Sequence, residues 1–274
     1  CSKKEDIPDD ENKAGAGFFR AGKGEAVMAE KTLLETVTEN AVFVAEFAGI
    51  VIVMVAVAYV MEKMAKRRAG SRERILSTRK VAVCGMFSAI AAVMMVIEVP
   101  VPFAPPFYGL DLSELPVLIG TFAFGPVAGV LIEFCKIVLK IIFKPTTTAF
   151  VGELANFVIG CSFLLPASAV YLLHKTRKNA VIAVTAGTLS MTVFGTAFNG
   201  IYLLPKFAQL FGMPLEQIVA MGTQINGSIG NITTFVIFAV APLNLLKGGL
   251  VSVITMFLYK KISPILKEGT KNQK

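Results

Sequence analysis

The chain has 274 residues, of which 54% are hydrophobic and 17% charged, with a formal net charge of +8. Soluble domains average about 45–50% apolar and about 25% charged residues, and the excess here is gathered into long uninterrupted runs, which excludes an ordinary solvated globule. The positive charge does not indicate nucleic acid, because it sits in clusters between those runs: Lys63, Lys66, Arg67, Arg68, Arg72, Arg74, Arg79 and Lys80; then Lys175, Arg177 and Lys178; then Lys260, Lys261 and Lys267, the pattern by which cytoplasmic loops anchor membrane helices.

Residues 1–40 are polar, acidic-leaning and dotted with glycine, which predicts an extracellular tail without a packed core. Its first residues, Cys1 and Ser2, read either as the mature terminus of a bacterial lipoprotein or as a truncation. Residues 41–61 form an apolar run broken only by Glu46. About 20 such residues cross a hydrocarbon core of about 30 Å as a helix, and strict alternation of the β-barrel kind is absent. The basic stretch 62–80 predicts a cytoplasmic linker. Apolar runs resume at 81–99, the first helix of the main body. Pro100, Pro102, Pro105 and Pro106 then impose an extended external loop, since proline neither continues a helix nor leaves its predecessor free to do so. A span over 115–124 leads into the abrupt Gly125-Pro126 turn, and 127–143 returns outward. Thr146, Thr147 and Thr148 make a short external loop before 152–173. The span 180–204 is expected to end at Pro205, followed over 206–228 by a polar excursion with a short surface helix. Residues 229–259 form the last span, either as one long segment or as a short helix and a span from near Ala239, stopped inside by Lys260 and Lys261. Residues 263–274 are a cytoplasmic tail. Seven crossings result, with the basic clusters all on the inner side.

Several motifs fail. Gly17-Phe-Phe-Arg-Ala-Gly22-Lys23 approaches a phosphate-binding loop, but Gly24 stands where the magnesium-binding Ser or Thr is needed, and no strand precedes it. ATP hydrolysis is therefore not this chain's work. One lone histidine, His174, and Cys84, Cys135 and Cys161 at no CxxC spacing give no zinc site. No acid/base or nucleophile constellation supports a membrane enzyme. No internal inverted repeat supports a secondary transporter. Glu133, Lys136 and Lys140 share one face of an apolar helix at i, i+3 and i+7. Lys140 and Lys144 lie near the outer end and can snorkel, whereas Glu133 and Lys136 either pair with each other or leave Lys136 facing a partner.

Three polar placements carry more chemistry: the run Gly152-Glu153-Leu154-Ala155-Asn156; Asn199 with Tyr202; and Asn244 with Lys247 at i and i+3. Amides and an ammonium in apolar helices are costly without partners. All three lie at one inferred depth below the proline-rich loop. Amides, a cation and aliphatic walls suit a flat, neutral, hydrogen-bonding ligand; plain interhelical hydrogen bonding is the competing reading.

The stretch from Arg79 to Pro264 resembles the riboflavin-specific S component of energy-coupling factor (ECF) transporters. The resemblance is carried by the residues from Glu98 through the proline loop to Phe107, by Asp111-Leu-Ser-Glu-Leu-Pro116, by Phe124-Gly-Pro-Val-Ala-Gly-Val130, by Gly152 to Phe157, by Asn199 with Leu203, Leu204 and Pro205, and by Pro242-Leu-Asn-Leu-Leu-Lys-Gly248. It implies an all-α integral membrane protein of the cell membrane: a six-helix S-component bundle over 81–262, preceded by one additional transmembrane helix at 41–61. It further implies that riboflavin is bound from outside as cargo, with no resident cofactor, and that Asn199, Asn244 and Lys247 match the family's pocket. Phe103, Phe107 and Tyr108 would cover the ring faces. A transmembrane coupling subunit and two ATPase subunits would complete the importer, with the whole S component toppling in the lipid to release its ligand. Small residues on the first helix of the bundle, Gly85 with Ala89 and Ser88 with Ala92, would dock on the coupling subunit.

Overall fold

The computed structural model describes Thr38, residues 40–70 and residues 74–271, with side chains described as far as Leu258. The tail to residue 37, with Cys1 and the phosphate-loop near-match, lies outside the described residues. Helix α1 (Ala41–Arg68) has 28 residues and continues past the expected end at residue 61. The extension is built of strong helix formers, is tied by a Glu62–Lys66 ion pair of 3.1 Å, and ends in Lys66, Arg67 and Arg68, which complement the helix dipole. Helix α2 (Thr78–Val96) is capped by Ser77, whose Oγ accepts from the Lys80 amide at 3.4 Å.

The proline-rich loop holds a feature not read from its prolines. Strand β1 (Val99–Pro100) pairs antiparallel with β2 (Gly109–Leu110), Val99 opposite Leu110. Proline is tolerated because this two-stranded ribbon is all edge. Helix α3 (Glu114–Phe124) follows, buried over most of its length. Its 11 residues rise only about 16 Å, too short to cross a bilayer alone. Gly125, at φ +102°, makes the turn into α4 (Pro126–Phe143), where Pro126 occupies a first-turn position that needs no amide. Helices α5 (Val151–Leu173) and α6 (Arg177–Phe198) form an antiparallel pair around Lys175.

Beyond α6 the chain departs from expectation. Pro205 does not end the helix. A π-helical turn, Asn199–Leu203, leads without a break into α7 (Leu204–Phe211), which stops at left-handed Gly212. Helix α8 (Leu215–Ile225) completes the excursion. Then α9 (Ile232–Phe235), a second π turn at Val236–Val240 and α10 (Ala241–Lys271) run on as one rod past Lys260 and Lys261. Each π turn is followed two residues later by a proline, Pro205 and Pro242. Proline supplies no amide to the carbonyl four residues back, and its ring presses on it. That carbonyl belongs to Ile201 or Phe238, inside the π turn. The wider turn relieves the clash and lets the helix continue.

Among the described residues, five helical stretches are long and apolar enough to cross a membrane: α1, α2, α5, Arg177–Phe211 and Ile232–Leu258. Helix α4 carries Glu133, Lys136 and Lys140, and these set it apart from the others. Helix α3 sits at the centre, touched by α2, α4, α5 and α10, while α1 lies outside the bundle against α4 and α5. One end of the bundle is closed by a lid, a separate apolar cluster in which Val101 and Ala104 of the loop pack with Leu204, Ala208, Ile218 and Phe235.

Candidate ligand-binding site

Beneath that lid lies a cavity of about 160 Å³. Its walls come from the loop after α2, the first half of α5, the π turn after α6, α7 and the first half of α10. All three residues singled out from the sequence, Asn199, Asn244 and Lys247, line it.

Asn199 opens the first π turn. Its Nδ2 donates to the Gly195 carbonyl at 2.9 Å, and its Oδ1 accepts from the Tyr108 hydroxyl at 2.9 Å. The loop is thereby tied to α6, and Asn199 keeps one lone pair for a ligand. Burial pushes the Tyr108 phenol well above its usual range, so Tyr108 remains a donor. Asn244 is buried, and among the described residues its Nδ2 has no hydrogen-bond acceptor. It rests against Gly195, where a Cβ would come within 2.8 Å of Nδ2; glycine is required for the amide to occupy that place. A buried amide donor left without a partner costs about 1–3 kcal/mol.

Lys247 is more committed than its sequence position suggests. Its ammonium donates to Asp111 Oδ2 at 2.8 Å and to Asn156 Oδ1 at 3.3 Å, and lies 3.7 Å from Glu114. Asp111 precedes α3, and its Oδ1 accepts from the Ser113 amide at 2.8 Å, an Asx turn that starts the helix. Burial alone would raise the Asp111 carboxyl, but the Lys247 and Lys136 ammoniums outweigh it and hold the carboxyl down at about 2. The lysine therefore enters the cavity neutralised rather than as a free cation. Asp111 was quoted only within the motif Asp111-Leu-Ser-Glu-Leu-Pro116, with no role of its own. Asn156 was quoted only as part of a polar run.

A second ionic group lies behind this one. Lys136 is fully buried and pairs with Glu133 at 2.7 Å and Glu114 at 2.9 Å, also donating to Ser113 Oγ at 3.1 Å. Of the two sequence readings, internal pairing is the one realised. Lys140 does not snorkel freely: it pairs with Glu153 at 2.7 Å, and Glu153 also accepts from Thr146 and Thr148. Lys144 reaches Glu98 at 2.9 Å on the rim. Phe107 and Tyr108 line the cavity, whereas Phe103 packs into the lid.

The four small residues of α2 divide. Gly85 and Ala89 are exposed, and a Cβ at Gly85 would meet nothing within 4 Å. Ser88 and Ala92 are buried in the bundle, with the Ser88 hydroxyl donating to the Cys84 carbonyl at 2.8 Å. Packing within the bundle, the competing reading of these small residues, is the one realised at Ser88 and Ala92, while Gly85 and Ala89 remain the expected docking positions.

A model of the ECF transporter substrate-specific component matches residues 79–259. The chain belongs to that family. It is thus a substrate-binding subunit of a multi-pass membrane transporter, not an enzyme. Among the proteins it resembles, the riboflavin transporter RibU of Staphylococcus aureus (strain TCH60) is 33% identical over 182 residues, 66% of this chain and 89% of the relative. The riboflavin transporter FmnP of Bacillus subtilis (strain 168) is 27% identical over 194 residues, 70% of this chain and 96% of the relative. A solved structure of the S component of a bacterial ECF transporter superposes with a TM-score of 0.54 at 33% identity, covering 69% of this chain and 98% of that one. Helix α1 precedes the region matched by the family model.

Proposed function

We propose that this chain captures riboflavin from outside the cell and delivers it inward, working with a transmembrane coupling subunit and two ATPase subunits. The observation that carries the reading is the cavity. Asn156, Asn199 and Asn244 bring side-chain amides to it from three elements, with Asn244 Nδ2 unpartnered among the described residues, while Phe107, Phe207, Ile159 and Leu243 add apolar surface to the same lining. Isoalloxazine is flat, with an apolar benzenoid edge and a pyrimidine edge of alternating donors and acceptors. Amides answer that alternation, and the apolar walls answer the ring. The names of the relatives above point to the same vitamin. ATP is to be hydrolysed elsewhere, by the partner subunits.

The experiment is a fluorescence titration of the detergent-purified chain with riboflavin. Saturable quenching at one site per chain is expected, and Asn244→Leu should weaken it about tenfold to a hundredfold, the usual effect of removing one buried hydrogen bond. Absence of quenching with the wild-type chain would overturn the substrate.

A further inference from the structure

Helix α1 lies outside the region matched by the family model, yet its outer end grips the segment that walls the cavity. Glu46 is the one charge in the first stretch of that helix. Its Oε2 accepts from the Tyr202 hydroxyl at 2.7 Å, and the Lys206 ammonium lies 3.1 Å from the same oxygen. Lys206 also stands 5.5 Å from the ring centroid of Phe43 of α1. Tyr202 belongs to the first π turn, and Lys206 lies one turn further on in α7. From the opposite side of this same stretch Asn199, Leu203, Leu204 and Phe207 line the cavity.

This stretch is the part of the rod least held by its own backbone. The π turn widens the hydrogen-bond ladder, and Pro205 contributes no amide to it. Its position is therefore set by side chains on both faces. On the inner face Tyr108 holds Asn199. On the outer face Glu46 holds Tyr202, whose ring also stacks on Phe198 with centroids 5.3 Å apart. The other end of α1 is fixed independently: Glu62 Oε2 accepts from the Val127 amide at 3.2 Å, in space opened by Gly125. The helix is thus anchored at its inner end on the bundle, and its outer end holds the ligand-bearing turn.

We propose that Glu46 is a positioning residue for ligand binding, acting through Tyr202 to fix the π turn that presents Asn199 and Leu203 to the cavity. The inference rests on the riboflavin reading of that cavity. The test uses the full chain in detergent and four variants: Glu46→Ala, Tyr202→Phe, the double variant, and Glu62→Gln as a control at the far end of α1. Riboflavin affinity, dissociation rate and amide hydrogen exchange over residues 199–207 are measured for each. Glu46→Ala and Tyr202→Phe should each weaken binding about threefold to tenfold, through faster dissociation, and should speed exchange in that segment. The double variant should be no weaker than the worse single one, because both remove the same contact. Glu62→Gln should bind within about twofold of wild type. Unchanged affinity in both single variants, additive losses in the double, or an equal loss in Glu62→Gln would each overturn the proposal. Wild-type chain that ignores riboflavin would overturn the functional reading instead, and the exchange data would still decide whether Glu46 fixes the turn.

Discussion

Removing the charge of Lys247 would reach further than the ligand. Asp111 is buried against it, and its carboxylate would keep only the Ser113 amide as a direct partner. Breaking a buried pair from one side costs about 3–5 kcal/mol, because the remaining ion is left uncompensated. Lys247→Met should therefore lower the thermal stability of the detergent-solubilised chain as well as its riboflavin affinity. Adding Asp111→Asn should recover most of the stability without restoring binding. Thermal unfolding followed by size exclusion, alongside fluorescence titration, separates the two effects. A Lys247→Met chain as stable as wild type would show that the pair is not coupled to the fold. At this scale the sequence is informative where a residue contradicts its surroundings. Asn199, Asn244 and Lys247 stand out because amides and ammoniums are rare in apolar helices. Their partners Tyr108 and Asp111 sit in a loop, where polar groups are ordinary, so nothing in the local pattern ties them to a site 91 or 136 residues away.

Most helices were legible from hydropathy and punctuation, and their ends moved for identifiable reasons. Helix α1 runs on because 62–68 are good helix formers, and Arg177–Phe211 runs on because a π turn absorbs Pro205. Proline at the end of an apolar run thus follows a π turn rather than marking a stop, a distinction that hydropathy alone does not make. Helix α2 shows the same limit in another form, since the spacing of its small residues could not say which stripe faces out. The exposed stripe has a direct test. Ala89→Leu places bulk on a free surface and should leave riboflavin binding and stability unchanged while reducing co-purification of the coupling and ATPase subunits. Ala92→Leu inserts the same bulk into a packed interior and should destabilise the chain by about 1–3 kcal/mol. Co-purification unaffected by Ala89→Leu would move the docking surface off this face of α2.

For the whole molecule, charge placement fixes orientation where hydropathy fixes only the number of candidate spans. The 28 residues of α1 rise about 42 Å, more than a hydrocarbon core of about 30 Å, so the helix reaches from one interface well into the other. Its last turn holds Lys66, Arg67 and Arg68. Arg74, Arg79 and Lys80 follow before α2 has made its first turn, and a cluster of this density is retained on the cytoplasmic side. We propose on this ground that the cavity lid, built from the proline loop with α7 and α8, faces outward, because the chain passes through α2 between the basic stretch and that loop. Cysteine labelling tests this arrangement. In a background with the four native cysteines replaced by alanine, Ala69→Cys should resist a membrane-impermeant maleimide in intact cells and react after permeabilisation. Gln224→Cys, exposed near the end of α8, should react in intact cells. Labelling of Ala69→Cys but not of Gln224→Cys in intact cells would place the basic stretch on the outer face, and the cavity would then open towards the cytoplasm, the reverse of what an importer requires.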